Sequence, residues 1–435
     1  MLRACLIIWK AIAAAKSGRG LFPILKQVLK SRNSLAALLL CGALPAVTCQ
    51  AQIDPVKREL FQFGYDQPLE GHGPLAAYAY YYYNKPSFIE TNLTLRLAIA
   101  PVYLDSELGI SHALGPNTDV GVGLAGGGFA DSYYEIRQGK YWQEESFTGN
   151  GGNVSASIYH LFNPDDRLPL NGVLRGETAY AEYERDDQTA GNFVLPADRT
   201  SFNVRTGFRL GGKEPLLAPD LALELSVWYE GMFRLNHGQY GYGGDRTVEA
   251  ASHLFWTRAL FAYTLPEHKD NFMLSMTAGA SADSDRFSAY RIGGVLPLAS
   301  EFPLSVPGYY YQELSASRFV LWNGVYYLPL DHEKRWELNF QGATALVDYT
   351  DGEYQSGHWN SGVGGGLTYH ATSQAWLISL DYGYGFDAIR DSGRGAQSVG
   401  ILVQFDLERS HEPYTNPESG SPWYKGLQGF LNSFQ

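Results

Sequence analysis

The stretch SFNVRTGFRL (201–210) separates into two faces when read at every second residue. Phe202, Val204, Thr206, Phe208 and Leu210 fall on one side, and Ser201, Asn203, Arg205, Gly207 and Arg209 on the other. A period of two is the side-chain period of a β-strand. A strand with an apolar face and an arginine-bearing face fits a wall between lipid and a wet lumen. The segment from 221 repeats the pattern, with Leu221, Leu223, Leu225, Val227 and Tyr229 against Ala222, Glu224, Ser226, Trp228 and Glu230. Phe272, Leu274, Met276, Ala278 and Ala280 oppose Ser275, Thr277, Gly279 and Ser281, while Trp376, Ile378, Leu380, Tyr382, Tyr384 and Phe386 oppose Ser379, Asp381, Gly383 and Gly385. Each run is about ten residues, the length a tilted strand needs to cross the hydrocarbon layer.

The connections have two length classes. Short polar turns are expected at 115–119, 163–171, 211–220, 266–270, 329–335 and 371–374. Between them lie longer loops at 131–150, 185–199, 236–252, 284–312 and 349–358, with a shorter one at 388–395. That is the pattern of a transmembrane antiparallel β-barrel of the outer membrane, with the long loops outside the cell. A soluble β-sandwich also alternates, but it needs neither aromatic residues at both ends of its outward faces nor short connections on one side only. Counting by alternation places five strands after the longest loop and earlier strands beginning near 271, 253, 220, 200, 171, 151, 119, 104, 91 and 74. A first strand has to come from about 60–67, where the signal is poor. The fold expected is all-β with sixteen strands, fourteen being the alternative.

Composition agrees with this class. The chain has 30 tyrosines, 22 phenylalanines, 9 tryptophans and 48 glycines, with 18% charged residues. Residues 1–51 carry seven basic residues, no acidic ones and a short apolar run from Leu35 to Val47, the form of a secretory signal peptide with cleavage after Ala51. Thr48 before Cys49 does not suit a lipoprotein signal. All three cysteines (Cys5, Cys41, Cys49) lie in this leader, so its removal leaves no thiol for a disulfide, a metal or a nucleophile. The mature chain has 26 basic and 45 acidic residues, a formal charge of −19 that disfavours nucleic acid as a partner. The organisation expected is a leader (1–51), a short periplasmic segment (52–73), the barrel (74–408) and a tail (409–435). In the tail, Ser421 and Pro422 open a segment whose Trp423, Leu427, Phe430, Leu431 and Phe434 share one helical face. An interfacial helix and a disordered end both remain open for it.

Near the C-terminus, SVGILVQF (398–405) places Ser398, Gly400, Val403 and Phe405 as a barrel-closing strand signal for the outer-membrane assembly machinery. With YRIGG (290–294), VPGYYYQELSASRF (306–319), VYYLPL (325–330), ALVDYTDG (345–352) and SGVGGGLTYHATSQAWLISLDYGYG (361–385), the order of motifs over about 115 residues resembles the C-terminal barrel of the bacterial surface antigen family, in the outer-membrane assembly and secretion superfamily. The resemblance implies a sixteen-stranded barrel with five strands after a loop, 284–312, that folds into the lumen. It makes Pro307, Gly308, Tyr309 and Asp348 the loop and gating residues. Two departures stand out. The family has an arginine where this chain has Pro307, so the loop arginine of the family's lock to an acidic wall residue is missing and Asp348 lacks that partner. Tyrosine packing and phenolic hydrogen bonds then have to hold the loop in place of a buried charge pair. The second departure is that only about 20 residues separate the expected cleavage site from the first clear strand, too few for a polypeptide-transport-associated domain.

Little points to catalysis. The ten histidines are scattered and no Gly-x-Ser-x-Gly elbow occurs. Glu144, Glu145, Asp186 and Asp187 suit solvated loop charge better than a calcium site. No cofactor or metal is expected. Arg96, Arg205, Arg209, Glu224, Glu230, Arg234 and Arg258 fall on the lumen parity, where they either brace the wall as pairs or form a selectivity surface. AYAYYYYN (77–84) is expected to form an interfacial tyrosine girdle. The function expected is a noncatalytic translocation pore or membrane scaffold gated by 284–312. Its partners would be outer-membrane lipid, lipopolysaccharide, the assembly machinery and a periplasmic protein. The alternatives are a passive solute porin and a barrel enzyme acting on lipid or surface polymer.

Overall fold

The computed structural model describes residues 57–410, apart from 167, 213–218, 266, 295–300, 374 and 392 and the side chains of 409 and 410. The leader and most of the tail, with their expected signal peptide and helix, lie outside the described residues. Sixteen strands form the wall: β1 (Arg58–Pro68), β2 (Ala76–Pro86), β3 (Leu93–Ile99), β4 (Tyr103–Ile110), β5 (Thr118–Gly127), β6 (Thr148–Leu161), β7 (Leu170–Glu184) and β8 (Arg199–Gly212), followed by β9 (Leu221–Arg234), β10 (Ala251–Thr264), β11 (Asn271–Ala282), β12 (Leu314–Pro329), β13 (Trp336–Tyr349), β14 (Trp359–His370), β15 (Trp376–Arg390) and β16 (Gly393–Asp406). Each pairs antiparallel with its sequence neighbour, and the short strand Tyr290–Ile292 of the longest loop adds to β12. The ring closes where β1 meets β16, from Leu60 opposite Asp406 to Pro68 opposite Ser398.

β1 occupies the stretch assigned from sequence to a periplasmic segment. Its signal is poor because apolar residues lie on both faces: Phe61 looks outward at 40% exposure, while Leu60 is fully buried on the lumen side. Gln62 Nε2 donates to Gln404 Oε1 at 2.6 Å and Tyr80 Oη to Gln62 Oε1 at 2.9 Å, so polar side chains tie the seam from inside. The tyrosine run of β2 is divided by the pleat. Tyr81 and Tyr83 stack outside, whereas Tyr78, Tyr80 and Tyr82 pack inside against Leu60, Leu377 and Leu402. The expected girdle is therefore half girdle and half lumen filling, because adjacent side chains of a strand take opposite faces.

Outward positions elsewhere are large and apolar, including Phe202, Phe208, Leu225, Val227, Leu274 and Leu380. At the short-turn end side chains cap the chain reversals. Asp331 Oδ1 accepts the amide of Arg335 at 2.7 Å, and Asn163 Nδ2 donates to the carbonyl of Leu168 at 2.9 Å. At the other end the long connections 128–147, 185–198, 235–250, 283–313 and 350–358 pack on one another.

Candidate functional site: a loop seated in the barrel lumen

The loop 283–313 is held at three places. Its first part enters an aromatic cluster in which Phe287 lies 5.4 Å from Tyr133, 5.8 Å from Tyr183 and 5.6 Å from Tyr240, ring centre to ring centre. Those partners come from different connections and strand ends, so Phe287 joins them into one apolar cap. Beside it Glu135 and Glu353 are buried among arginines. Glu135 meets Arg286, Arg137 at 3.0 Å and Arg246 at 3.3 Å, and Glu353 lies 3.7 Å from Arg286 and 3.9 Å from Arg291. Glu145 accepts Arg137 at 2.7 Å and also meets Arg246. Burial alone would raise the Glu135 carboxyl, but Arg286 and Arg246 beside it hold it below the usual carboxylate range. Arg234 of β9 reaches Asp285 of the loop at 2.9 Å.

Two described stretches of the loop pair with each other. The amide of Gly293 donates to the carbonyl of Leu304 at 2.8 Å, and Gly294 bridges to Val306. Next to the second stretch, Glu301 and Phe302 lie on the wall of β8, β9 and β10. Glu301 meets Arg205 at 3.1 Å and also Arg209. Its partial withdrawal from water opposes its charge, yet Arg209 and Arg205 bring its carboxyl down to about 2.

The third anchor is the Pro-Gly-Tyr tip. Tyr309 is fully buried, its hydroxyl 3.2 Å from Asn360 Oδ1 on β14. Gly308 has φ of 83°, and a Cβ there would strike the Gly385 backbone. Pro307 in turn presses on Gly362 and Gly383, so glycines on two wall strands provide the seat. A charge pair is present after all. Arg390 of β15 donates to both oxygens of Glu313 at 2.9 and 3.1 Å, and the two side chains are 1% and 0% exposed. The Arg390 guanidinium lies 3.7 Å from the Tyr310 ring centre, and the Tyr310 amide donates to Glu313 at 2.8 Å. Burial pushes the Tyr310 phenol up to about 12, so it stays a neutral donor, 3.3 Å from the Glu70 carbonyl.

Pro307, Gly308 and Tyr309 are thus brought together at the loop tip. Asp348 is not among them; its side chain is 60% exposed and lies 3.6 Å from His358. The lumen set divides by partner, with Arg258 reaching both wall and loop. Arg96 with Glu107 (3.1 Å) and Arg258 with Glu224 (2.6 Å) brace the wall, while Arg205, Arg209 and Arg234 hold the loop. Glu230 stands opposite Arg205 in register and lines a cavity of about 300 Å³ beside Phe302. Ser398, Gly400, Val403 and Phe405 all lie in β16 and pair with β1.

A closed sixteen-stranded antiparallel barrel with an apolar outer band defines an outer-membrane β-barrel, and its solved neighbours are outer-membrane barrels. The chain is similar to CdiB from Acinetobacter baumannii (TM-score 0.52, 12% identity), over 80% of this chain and 60% of that one. It is also similar to BamA from Haemophilus ducreyi lacking POTRA domains 1–3 (TM-score 0.52, 10% identity, 81% and 70%) and to CdiB from Escherichia coli (TM-score 0.51, 15% identity, 83% and 64%). At these identities the likeness is one of fold. The chain therefore spans less than two thirds of the first of these proteins. No protein-family model matches the chain, and no curated protein does.

Proposed function

We propose that this chain is a noncatalytic translocation barrel of the outer membrane whose lumen is kept shut by the loop 283–313. The observation that carries the reading is the seat of the tip, where Pro307, Gly308 and Tyr309 press on wall glycines and Glu313 is clamped by Arg390. Three separate anchors on one loop suit a plug that must hold and also release better than they suit an open solute channel. In this reading the long-loop end faces outside the cell, and a periplasmic protein delivers the substrate to the short-turn end. Lipid, lipopolysaccharide and the assembly machinery are the other partners. The fold likeness to CdiB and BamA supports the same reading.

Planar-bilayer conductance tests it. The intact protein should be largely closed, and deletion of 301–311 should open large steady channels. Equal conductance before and after deletion would sink the gating role, and large steady channels in the intact protein would favour the passive porin.

A further inference from the structure

The wall of β8, β9 and β10 carries a cationic and aromatic surface that the loop fills with two consecutive residues. Trp228 and Trp256 stack 6.2 Å apart with planes 14° from parallel. Phe302 stands edge-on to both, at 5.5 and 5.9 Å, and the Arg258, Arg205 and Arg209 guanidiniums lie 4.5, 5.5 and 5.6 Å from its centre. The Glu301 carboxylate meets Arg205 and Arg209, and the Glu301 main-chain carbonyl accepts from Arg258 Nη1 at 3.0 Å. Three kinds of group are recognised together: a carboxylate, an aromatic ring and a peptide carbonyl.

Charge explains why the loop brings an acid here. Around Phe302 the described residues of the wall include Arg205, Arg209 and Arg258 against Glu224 and Glu230, and Glu224 is engaged by Arg258 at 2.6 and 3.0 Å. Within that set one positive charge is in excess until Glu301 arrives. The Glu301 side chain nevertheless stays 44% exposed, open to exchange with a competing carboxylate. The neighbouring cavity of about 300 Å³ extends the site past Arg205, Trp256, Tyr311 and Gln312. Arg205 and Trp256 line it, and their Nε and Nε1 atoms are buried and find no acceptor among the described residues, so displacement of Phe302 would leave donors for further main-chain carbonyls. The contact with the Glu301 carbonyl favours a polypeptide over a free aromatic acid.

We infer that this wall is a binding site for polypeptide segments in which an acidic residue directly precedes an aromatic one, and that Glu301 and Phe302 occupy it in cis. Paired guanidiniums select the carboxylate, the indole pair selects the ring, and a segment entering the lumen displaces the loop from this wall. The biological meaning rests on the translocation reading; the binding does not.

The test is calorimetry on the full-length barrel in nanodiscs with N-acetyl-Glu-Phe-amide, using the Lys-Phe and Glu-Ala analogues as controls. E301A/F302A should bind Glu-Phe at least about tenfold more tightly than the intact protein, whose own loop competes. Adding R205A/R209A should remove that gain. Equal binding of Glu-Phe and Lys-Phe, or no gain in E301A/F302A, overturns the proposal. Heat-modifiable gel mobility reports assembly, and where E301A/F302A fails to assemble, F302A is measured with the same expected order. Conductance of the same variant is a separate readout. Binding without opening discards the gate and keeps the site, and opening without binding discards the site and keeps the gate.

Discussion

Arg390 on β15 clamps Glu313 of the loop through two hydrogen bonds, at 2.9 and 3.1 Å, in a pair almost wholly removed from water. The resemblance to surface antigen barrels implies an arginine on the loop and an acid on the wall. Here the polarity is reversed, and Pro307 stands where the arginine would be. Removing one partner strands the other charge in the lumen wall, at a cost of about 3–5 kcal/mol. Arg390→Ala should therefore unseat the tip and speed protease cleavage within 301–313 by about a hundredfold or more. The double variant R390A/E313A should be milder than R390A, since it leaves no orphan charge. Cleavage of R390A at the wild-type rate would show that the tip does not depend on this pair.

Gly385→Val should unseat the same tip without touching a charge. A side chain at 385 enters the space of the Tyr309 ring, and one at 308 meets the Gly385 backbone at a φ that L-residues seldom adopt. Gly308→Ala should destabilise the seat by about 1–3 kcal/mol. The expected readout is raised bilayer conductance with unchanged heat-modifiable mobility. Unchanged conductance in both variants would mean that the tip can shift without opening a path.

Acid should release the loops late. Glu301 and Glu135 both titrate below an ordinary carboxyl when folded, Glu301 at about 2. A depressed folded value means that their contribution is full above the ordinary carboxylate range and is lost as pH falls through the folded value. Pepsin digestion should leave 283–313 protected at pH 4 and cut it near pH 2, with a denatured substrate correcting for pepsin's own pH profile. Glu135→Gln should expose the loop already at pH 4, because Arg246 and Arg286 lose the buried carboxylate they share.

Closure of the ring can be tested directly. Gln62 and Gln404 are register partners across β1 and β16, so their Cβ atoms are within disulfide reach. Q62C/Q404C, made with Cys5, Cys41 and Cys49 replaced, should oxidise to a species whose mobility in denaturing gels shifts on reduction. Displacing one cysteine to give F61C/Q404C should abolish the link, since the two side chains then point to opposite faces. Equal cross-linking of both pairs would mean that the seam register slips.

Most of the wall could be read along the chain because the pleat makes inward and outward positions a local property. Phe202 to Leu210 and Leu221 to Glu230 show this plainly, and the strand starts counted from them match the sixteen observed strands. The same rule explains what was harder to read. β1 carries Leu60 on its lumen face, and the tyrosines of β2 occupy both faces, so composition masks the period.

Arg390 was out of reach for a different reason. By parity it falls with Leu380, Tyr382 and Phe386 on the lipid side. The β15–β16 register shifts between Gly385 and Ile389, burial moves from Gly383 and Gly385 to Ala388 and Arg390, and the arginine turns inward. Glu313, Glu135 and Glu353 are loop acids that look like surface charge in sequence, and only the approach of arginines distant in the chain makes them buried anchors. The sequence by itself determined a transmembrane barrel and the inward face of most of its strands, since alternation is set residue by residue. The tertiary structure decided how the lumen is closed, because that rests on a strand irregularity and on contacts between segments a hundred or more residues apart, such as Glu135 with Arg246 and Arg286, for which no local period exists.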